Sequence, residues 1–187
     1  TDLLSQRPHR RRNALTGDWV TVSPQRAQRP WQGEERPASG SNGVTYDSDC
    51  YLCPGNTRAS GNVNPLYAAP WAFDNDFPAV QADLDSGSAA VDATDPGEPS
   101  ALFRSELVAG RCRVLCYHPD HSKTLADMTE QETLAVVQLW ASEVGAMRQS
   151  HQWVQVFENR GEMMGCSNAH PHGQIWALDA LPNEGVK

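Results

Sequence analysis

The chain has 187 residues, a formal net charge of −8 and five cysteines, with a pI near 5.1. That length suits one domain, 1–187, which can bury roughly 70% of its unfolded surface and so needs no disulfides to hold a core. The acidic balance argues against a general nucleic-acid or membrane-surface binder. The absence of an apolar run near residue 1 gives neither a signal peptide nor a transmembrane span, so a cytoplasmic location is expected.

Positive charge is concentrated early. Arg7, Arg10, Arg11, Arg12, Arg26, Arg29 and Arg36 are seven of the fifteen basic residues, and they either serve a polyanionic ligand or form a solvated arm. Residues 13–17 read as a turn and 18–23 as a strand, by alternation and β-branching. Arg26 and Arg29 follow between Pro24 and Pro30. Such a loop could aim two guanidiniums at one phosphate group, for which their fork geometry is suited, or hold them in salt bridges within the fold. Residues 36–49, rich in Gly, Ser, Asn and Pro, predict a loop leading to Cys50.

Cys50-x-x-Cys53-Pro54-Gly55-Asn56 has the spacing of a zinc knuckle. A redox pair is the alternative, but no thioredoxin-like βαβ pattern surrounds it. The odd cysteine count also fits reduced thiols and a metal better than a disulfide framework. Phe73-Asp74-Asn75-Asp76-Phe77-Pro78 is a polar cluster between aromatics, able to accept from ribose hydroxyls or to build an Asx turn. Residues 81–101 hold five acids and no base, which predicts a flexible surface loop.

Residues 111–117 alternate like a strand that buries Cys112, Val114 and Cys116 as packed thiols and core. His118 and His121 follow closely, and spacing alone does not say which would bind a metal. Thr129-Glu130-Gln131-Glu132 reads as a capping box, opening a helix over about 130–149 with Leu134, Val137, Trp140, Val144 and Met147 as its core stripe. Residues 153–157 predict a strand. Beyond it comes a glycine-flexed loop through Gly161 and Gly165, whose backbone N–H groups and Ser167 hydroxyl could receive phosphate oxygens.

The densest chemistry is His170-Pro171-His172-Gly173-Gln174-Ile175-Trp176. Pro171 biases His170 toward an extended conformation, so a strand should begin near His172. Period two then puts His172, Gln174 and Trp176 on one face and Gly173, Ile175 and Ala177 on the other. A neutral imidazole beside an uncharged amide donor suits a phosphoryl group in transfer. Two metal ligands, or two histidines in a turn, are the other readings of the same tripeptide. Strands, then a long helix, then strands again predict an α+β fold with the helix packed on an antiparallel sheet.

His170-Pro171-His172-Gly173-Gln174, within Gly165-Cys166-Ser167-Asn168-Ala169, resembles the active-site signature of the galactose-1-phosphate uridylyltransferase family. That family is the transferase branch of the histidine-triad superfamily, with glutamine in place of the third histidine. Similarity continues through Pro8–Arg11, Leu15–Gly17, Ser23–Gly33, Cys50–Cys53, Asn75–Phe77, Pro119–Leu125, Trp153–Asn159 and Leu181–Glu184, so it runs along nearly the whole chain.

The resemblance implies a histidine-triad half-barrel and a ping-pong exchange of UMP between UDP-glucose and galactose 1-phosphate through a uridylyl-histidine. His172 would be the nucleophile, with Gln174 and Ser167 on the phosphoryl oxygens and Arg26 and Arg29 on the diphosphate. Asn75 and Asp76 would meet the nucleoside, while Asn159 and Gly165 would line the site. Cys50, Cys53, His121 and His170 would hold zinc, and no magnesium is called for. A backbone carbonyl could fix the His172 tautomer, with residues 159–165 the nearest candidates by chain order. Family chains continue into a second domain, so a homodimer or pairing with a C-terminal half is expected. Two other readings are a histidine-triad transferase or phosphorylase acting on adenine nucleotides, and a non-catalytic zinc-binding domain.

Overall fold

A computed structural model describes residues 3–28, 43–82, 104–164, 166 and 168–186. The strands are β1 (His9–Arg12), β2 (Trp19–Val22), β3 (Trp71–Asp74), β4 (Ser105–Leu107), β5 (Gly110–Cys116), β6 (Trp153–Phe157) and β7 (His172–Leu178). The helices are α1 (Glu130–Met147) and α2 (Asn183–Val186). Two antiparallel sheets result, ordered β2-β1-β4 and β3-β5-β7-β6. The expected α+β architecture holds, with a smaller second sheet beside the one that receives the helix.

The hairpin joining β1 to β2 closes as its residues dictate. Asn13 Oδ1 accepts from Leu15 N at 2.9 Å, and Gly17 takes φ +79°, a left-handed conformation that favours glycine.

The four-stranded sheet separates two cores. On one face lie Leu115, Ile175 and Ala177, covered by Val136 and Met147 of α1 with Leu139, Trp140 and Val144 partly buried around them. Each large aliphatic buried there contributes about 1.5–3 kcal/mol. An Arg113–Glu143 ion pair at 3.2 Å fastens the helix to β5. On the other face, Val114 and Cys116 pack with Phe73 and with Cys50, Leu52 and Cys53. The buried thiols Cys112 and Cys116 are therefore packing groups, and burial pushes Cys116 up to about 12.

Helix α1 begins where the capping box predicts, with Thr129 and Glu132 exchanging both bonds. Its end and its phase differ from expectation. The helix stops at Met147, and Leu134 and Val137 are 53% and 44% exposed. The buried stripe instead runs through Val136, because that residue meets Leu115 and Ile175 across the sheet. The loop expected over 36–49 is described from residue 43 on, where it holds neither helix nor strand, and the loop expected over 81–101 lies outside the described residues beyond 82. Among the described residues no helix is long and apolar enough to cross a membrane.

Candidate active site

Strand β7 carries the site. Its burial alternates along the strand, with Gly173, Ile175 and Ala177 buried under the helix and His172, Gln174 and Trp176 on the opposite face. Register places His172 opposite Cys116 and Gln174 opposite Val114. Gly173 is required by close approach, since a Cβ there would lie 1.8 Å from Tyr117 Oη.

His172 Nδ1 sits 2.7 Å from the carbonyl oxygen of His170. A carbonyl only accepts, so Nδ1 carries the proton and Nε2 keeps its lone pair. Burial lowers the His172 pKa, opposed by that carbonyl and by Glu158, so the neutral ring is favoured. The tautomer partner is thus the residue two positions upstream, and the 159–165 segment does not supply it. Trp176 Nε1 donates to Gln174 Oε1 at 3.3 Å. This uses the amide oxygen and leaves the NH₂ as the donor end on the face shared with His172.

Below them, Cys50, Cys53, His121 and His170 place their ligand atoms within 4.8 Å of one another. The set is assembled from three segments. The Cys50–Cys53 turn is closed by Cys53 N to Cys50 O at 3.1 Å. Asn56 Nδ2 reaches the Cys50 carbonyl at 2.8 Å, and Asn64 Nδ2 reaches the Tyr51 and Cys53 carbonyls at 2.9 and 3.0 Å. His121 is pinned by its N–H to Thr45 O at 2.8 Å. His170 enters from the segment leading into β7, where Asn168 Oδ1 receives its N–H at 2.9 Å.

The donor set fits a divalent cation. Cys53 Sγ lies 3.5 Å from both His121 Nδ1 and His170 Nδ1, the edge of roughly 3.5 Å that a tetrahedral site with ordinary zinc bond lengths would have. Leu52 N–H points at Cys50 Sγ from 3.4 Å, and the Asn168 amide meets the same sulfur through Nδ2 and Oδ1, each at 3.6 Å. Tyr67 gives its only proton to Leu52 O at 2.6 Å, so at 2.9 Å from His170 Nε2 it can only accept. His170 therefore keeps its proton on Nε2 and turns the Nδ1 lone pair toward the cluster. Burial, with His121 and His172 nearby, lowers His170 to about 3, and burial with the Cys50 sulfur raises Cys53 to about 11. A cation would replace the thiol proton and offset that cost.

His118 does not compete. Its Nε2 donates to Glu132 Oε1 at 3.0 Å and its Nδ1 accepts from Asp120 N at 2.9 Å, so both nitrogens are used. The capping carboxylate of α1 thereby steadies the loop that presents His121.

The other expected residues lie in separate segments. Arg26 lies half-buried in a short 3-10 helix, Pro24–Gln28, and its charge opposes the burial that raises the Cys112 thiol. Ser23 Oγ and Gln25 Nε2 bind the Ala79 carbonyl at 2.6 and 3.3 Å, tying that helix to the segment after Asn75 and Asp76. Asn75 N bonds Cys112 O at 2.9 Å, and its Oδ1 accepts from Phe77 N at 2.9 Å in an Asx turn. Asp76 faces Arg58 at 3.5 Å. Asn159 is half-buried just past β6. Arg29, Gly165 and Ser167 lie outside the described residues. Sequence reasoning missed Tyr67, the sulfur-directed amide of Asn168 and Arg58; only Asn168, inside the motif, carried any signal.

Solved structures share this fold. A structure described as a uridylyltransferase matches with a TM-score of 0.61 at 21% identity, covering 93% of this chain and 47% of that one. An ADP-glucose phosphorylase from Arabidopsis thaliana with bound ADP-glucose matches with a TM-score of 0.52 at 23% identity, covering 95% of this chain and 51% of that one. At these identities the likeness is one of fold. The family model of the galactose-1-phosphate uridyl transferase N-terminal domain matches residues 2–182, and the chain belongs to that family. It is 47% identical to the galactose-1-phosphate uridylyltransferase of Haemophilus influenzae, over 96% of this chain and 49% of that protein. It is 46% identical to that of Rattus norvegicus, over 96% of this chain and 45% of that protein. The chain thus spans about half the length of these relatives.

Proposed function

We propose that this chain transfers a uridylyl group between UDP-glucose and galactose 1-phosphate by way of His172. The observation that carries the reading is the neutral, tautomer-fixed His172 beside the Gln174 amide on one strand face. Its Nε2 attacks the α-phosphorus, forming a P–N bond while the P–O bond to glucose 1-phosphate breaks and the electron pair leaves on that oxygen. A phosphate oxygen of galactose 1-phosphate then attacks the same phosphorus, and the imidazole leaves with the P–N pair.

Gln174 and Ser167 would hold the phosphoryl oxygens with neutral donors, which do not protonate and release the intermediate early. Arg26 and Arg29 would oppose the diphosphate charge, Asn75 and Asp76 would meet the nucleoside, and Asn159 and Gly165 would line the pocket. Zinc, held by Cys50, Cys53, His121 and His170, would have a closed shell and a structural role, fixing the segment from which His172 projects.

The relatives' greater length supports reading 1–187 as an N-terminal domain that works with a C-terminal half, in one chain or across a dimer. The test is hexose exchange by the 187-residue chain, alone and with the C-terminal half of a relative added. Binding of uridine nucleotide without full turnover, and a large gain on addition, is expected. Equal rates with and without the added half would contradict it. The fold likeness to an ADP-glucose phosphorylase supports a second reading, an adenine-nucleotide donor, so the same assay compares UDP-glucose with ADP-glucose. Uridylyl transfer predicts that UDP-glucose prevails.

A further inference from the structure

Arg58 belongs to the tight loop beyond the Cys50–Cys53 turn, closed by Arg58 N to Asn62 O at 2.8 Å and Gly61 N to Arg58 O at 2.9 Å. Its side chain is only 10% exposed. The guanidinium carbon sits 4.1 Å from the ring centroid of Phe73 and 6.0 Å from that of Trp71. Phe73 is itself buried within β3, paired to β5, so this aromatic platform is rigid.

The polar end is unusual. Arg58 Nη1 lies 3.5 Å from Asp76 Oδ1, a carboxylate 12% exposed, yet buried Nε and Nη1 have no hydrogen-bond partner among the described residues. An arginine buried for architecture alone normally spends its donors on carbonyls or on a bidentate carboxylate, because leaving them unmade is costly. Here the pairing is Coulombic without a formed hydrogen bond. It holds Asp76 in place while leaving the carboxylate lone pairs for other donors. The neighbouring Asn75 differs, because its Oδ1 is committed to Phe77 N at 2.9 Å. Of the two, Asp76 is the one with acceptor capacity to offer.

We infer that Arg58, seated on Phe73, is a positioning residue that holds the Asp76 carboxylate to accept from the ribose hydroxyls of a uridine nucleotide. This rests on the reading of Asn75 and Asp76 as nucleoside contacts. It links the loop after the metal-binding turn to nucleotide affinity through one side chain.

The test is calorimetric binding of UMP and of 2′,3′-dideoxy-UMP to the zinc-loaded 187-residue chain and to Arg58→Met, Arg58→Lys and Asp76→Ala. The original chain should prefer UMP. Arg58→Met should lower that preference by roughly tenfold, the scale of one charge-assisted hydrogen bond, with dideoxy binding little changed. Arg58→Lys, which keeps the charge, should restore part of it. A general loss of structure would weaken both ligands equally and leave the ratio intact. If Arg58→Met does not fold, Arg58→Gln carries the same comparison. Full preference in the neutral variant alongside its loss in Asp76→Ala would overturn the role of Arg58. Preference unchanged in Asp76→Ala would instead remove the nucleoside reading beneath it, and the inference with it.

Discussion

His172 Nδ1 donates to the carbonyl of His170 at 2.7 Å, while His170 turns its own Nδ1 toward Cys53 Sγ at 3.5 Å. One residue therefore serves two neighbours, its side chain facing the candidate metal cluster and its backbone fixing the tautomer of the proposed nucleophile. Order at the cluster should be felt at His172.

Metal content is the first consequence. Purified without chelator, the chain should carry one zinc, and Cys50→Ser with Cys53→Ser should carry none. A structural zinc is worth about 10–16 kcal/mol of apparent binding free energy, so the double variant should melt well below the original. Metal analysis with thermal melts checks this; full zinc in the double variant would refute the quartet.

The two neighbouring histidines should separate in the same assay. His121→Ala should lose zinc, whereas His118→Asn should retain it, because His118 spends both nitrogens on Glu132 and Asp120. Zinc loss in His118→Asn matching that in His121→Ala would mean that the cluster is assigned to the wrong residues.

Tyr67→Phe removes the acceptor that keeps the His170 proton on Nε2 and leaves the Leu52 carbonyl without its donor. Loss of such an outer partner typically costs 10–100-fold in metal affinity. Competition against a chromophoric chelator should show a drop of about that size, with the melting temperature of the zinc-saturated protein changed only slightly.

Gly173→Ala should destabilise the fold severely, since the added Cβ would lie 1.8 Å from Tyr117 Oη and 2.9 Å from the Phe157 carbonyl. Removing the hydroxyl with Tyr117→Phe should recover part of the loss but not all, because the ring carbon at 2.8 Å and the carbonyl remain. Denaturant titration of the single and double variants measures the recovery; additive losses would contradict this packing account.

Much of this was legible in the residues. Period two along 172–178 marks the two faces of β7 because one face is buried under α1, and the capping box marks the start of that helix because the cap is a local bond. The phase of α1 was not legible. Apolar residues at 134, 136, 137, 139 and 140 allow more than one stripe, and contact with Leu115 and Ile175 selects the one through Val136. Spacing could not choose between His118 and His121 either, since the choice depends on Glu132 folding back from the helix cap. Tyr67 and Arg58 act through single contacts across the fold, which leave no periodic or spacing signal.

If His172 takes up the uridylyl group, intact mass spectrometry after mixing with UDP-glucose should record the adduct. One uridylyl increment per chain is expected, mapping to the peptide that contains His172. His172→Asn should show no increment while keeping its zinc and most of its affinity for uridine nucleotide. An increment that persists in His172→Asn, or that maps to another residue, would contradict the account.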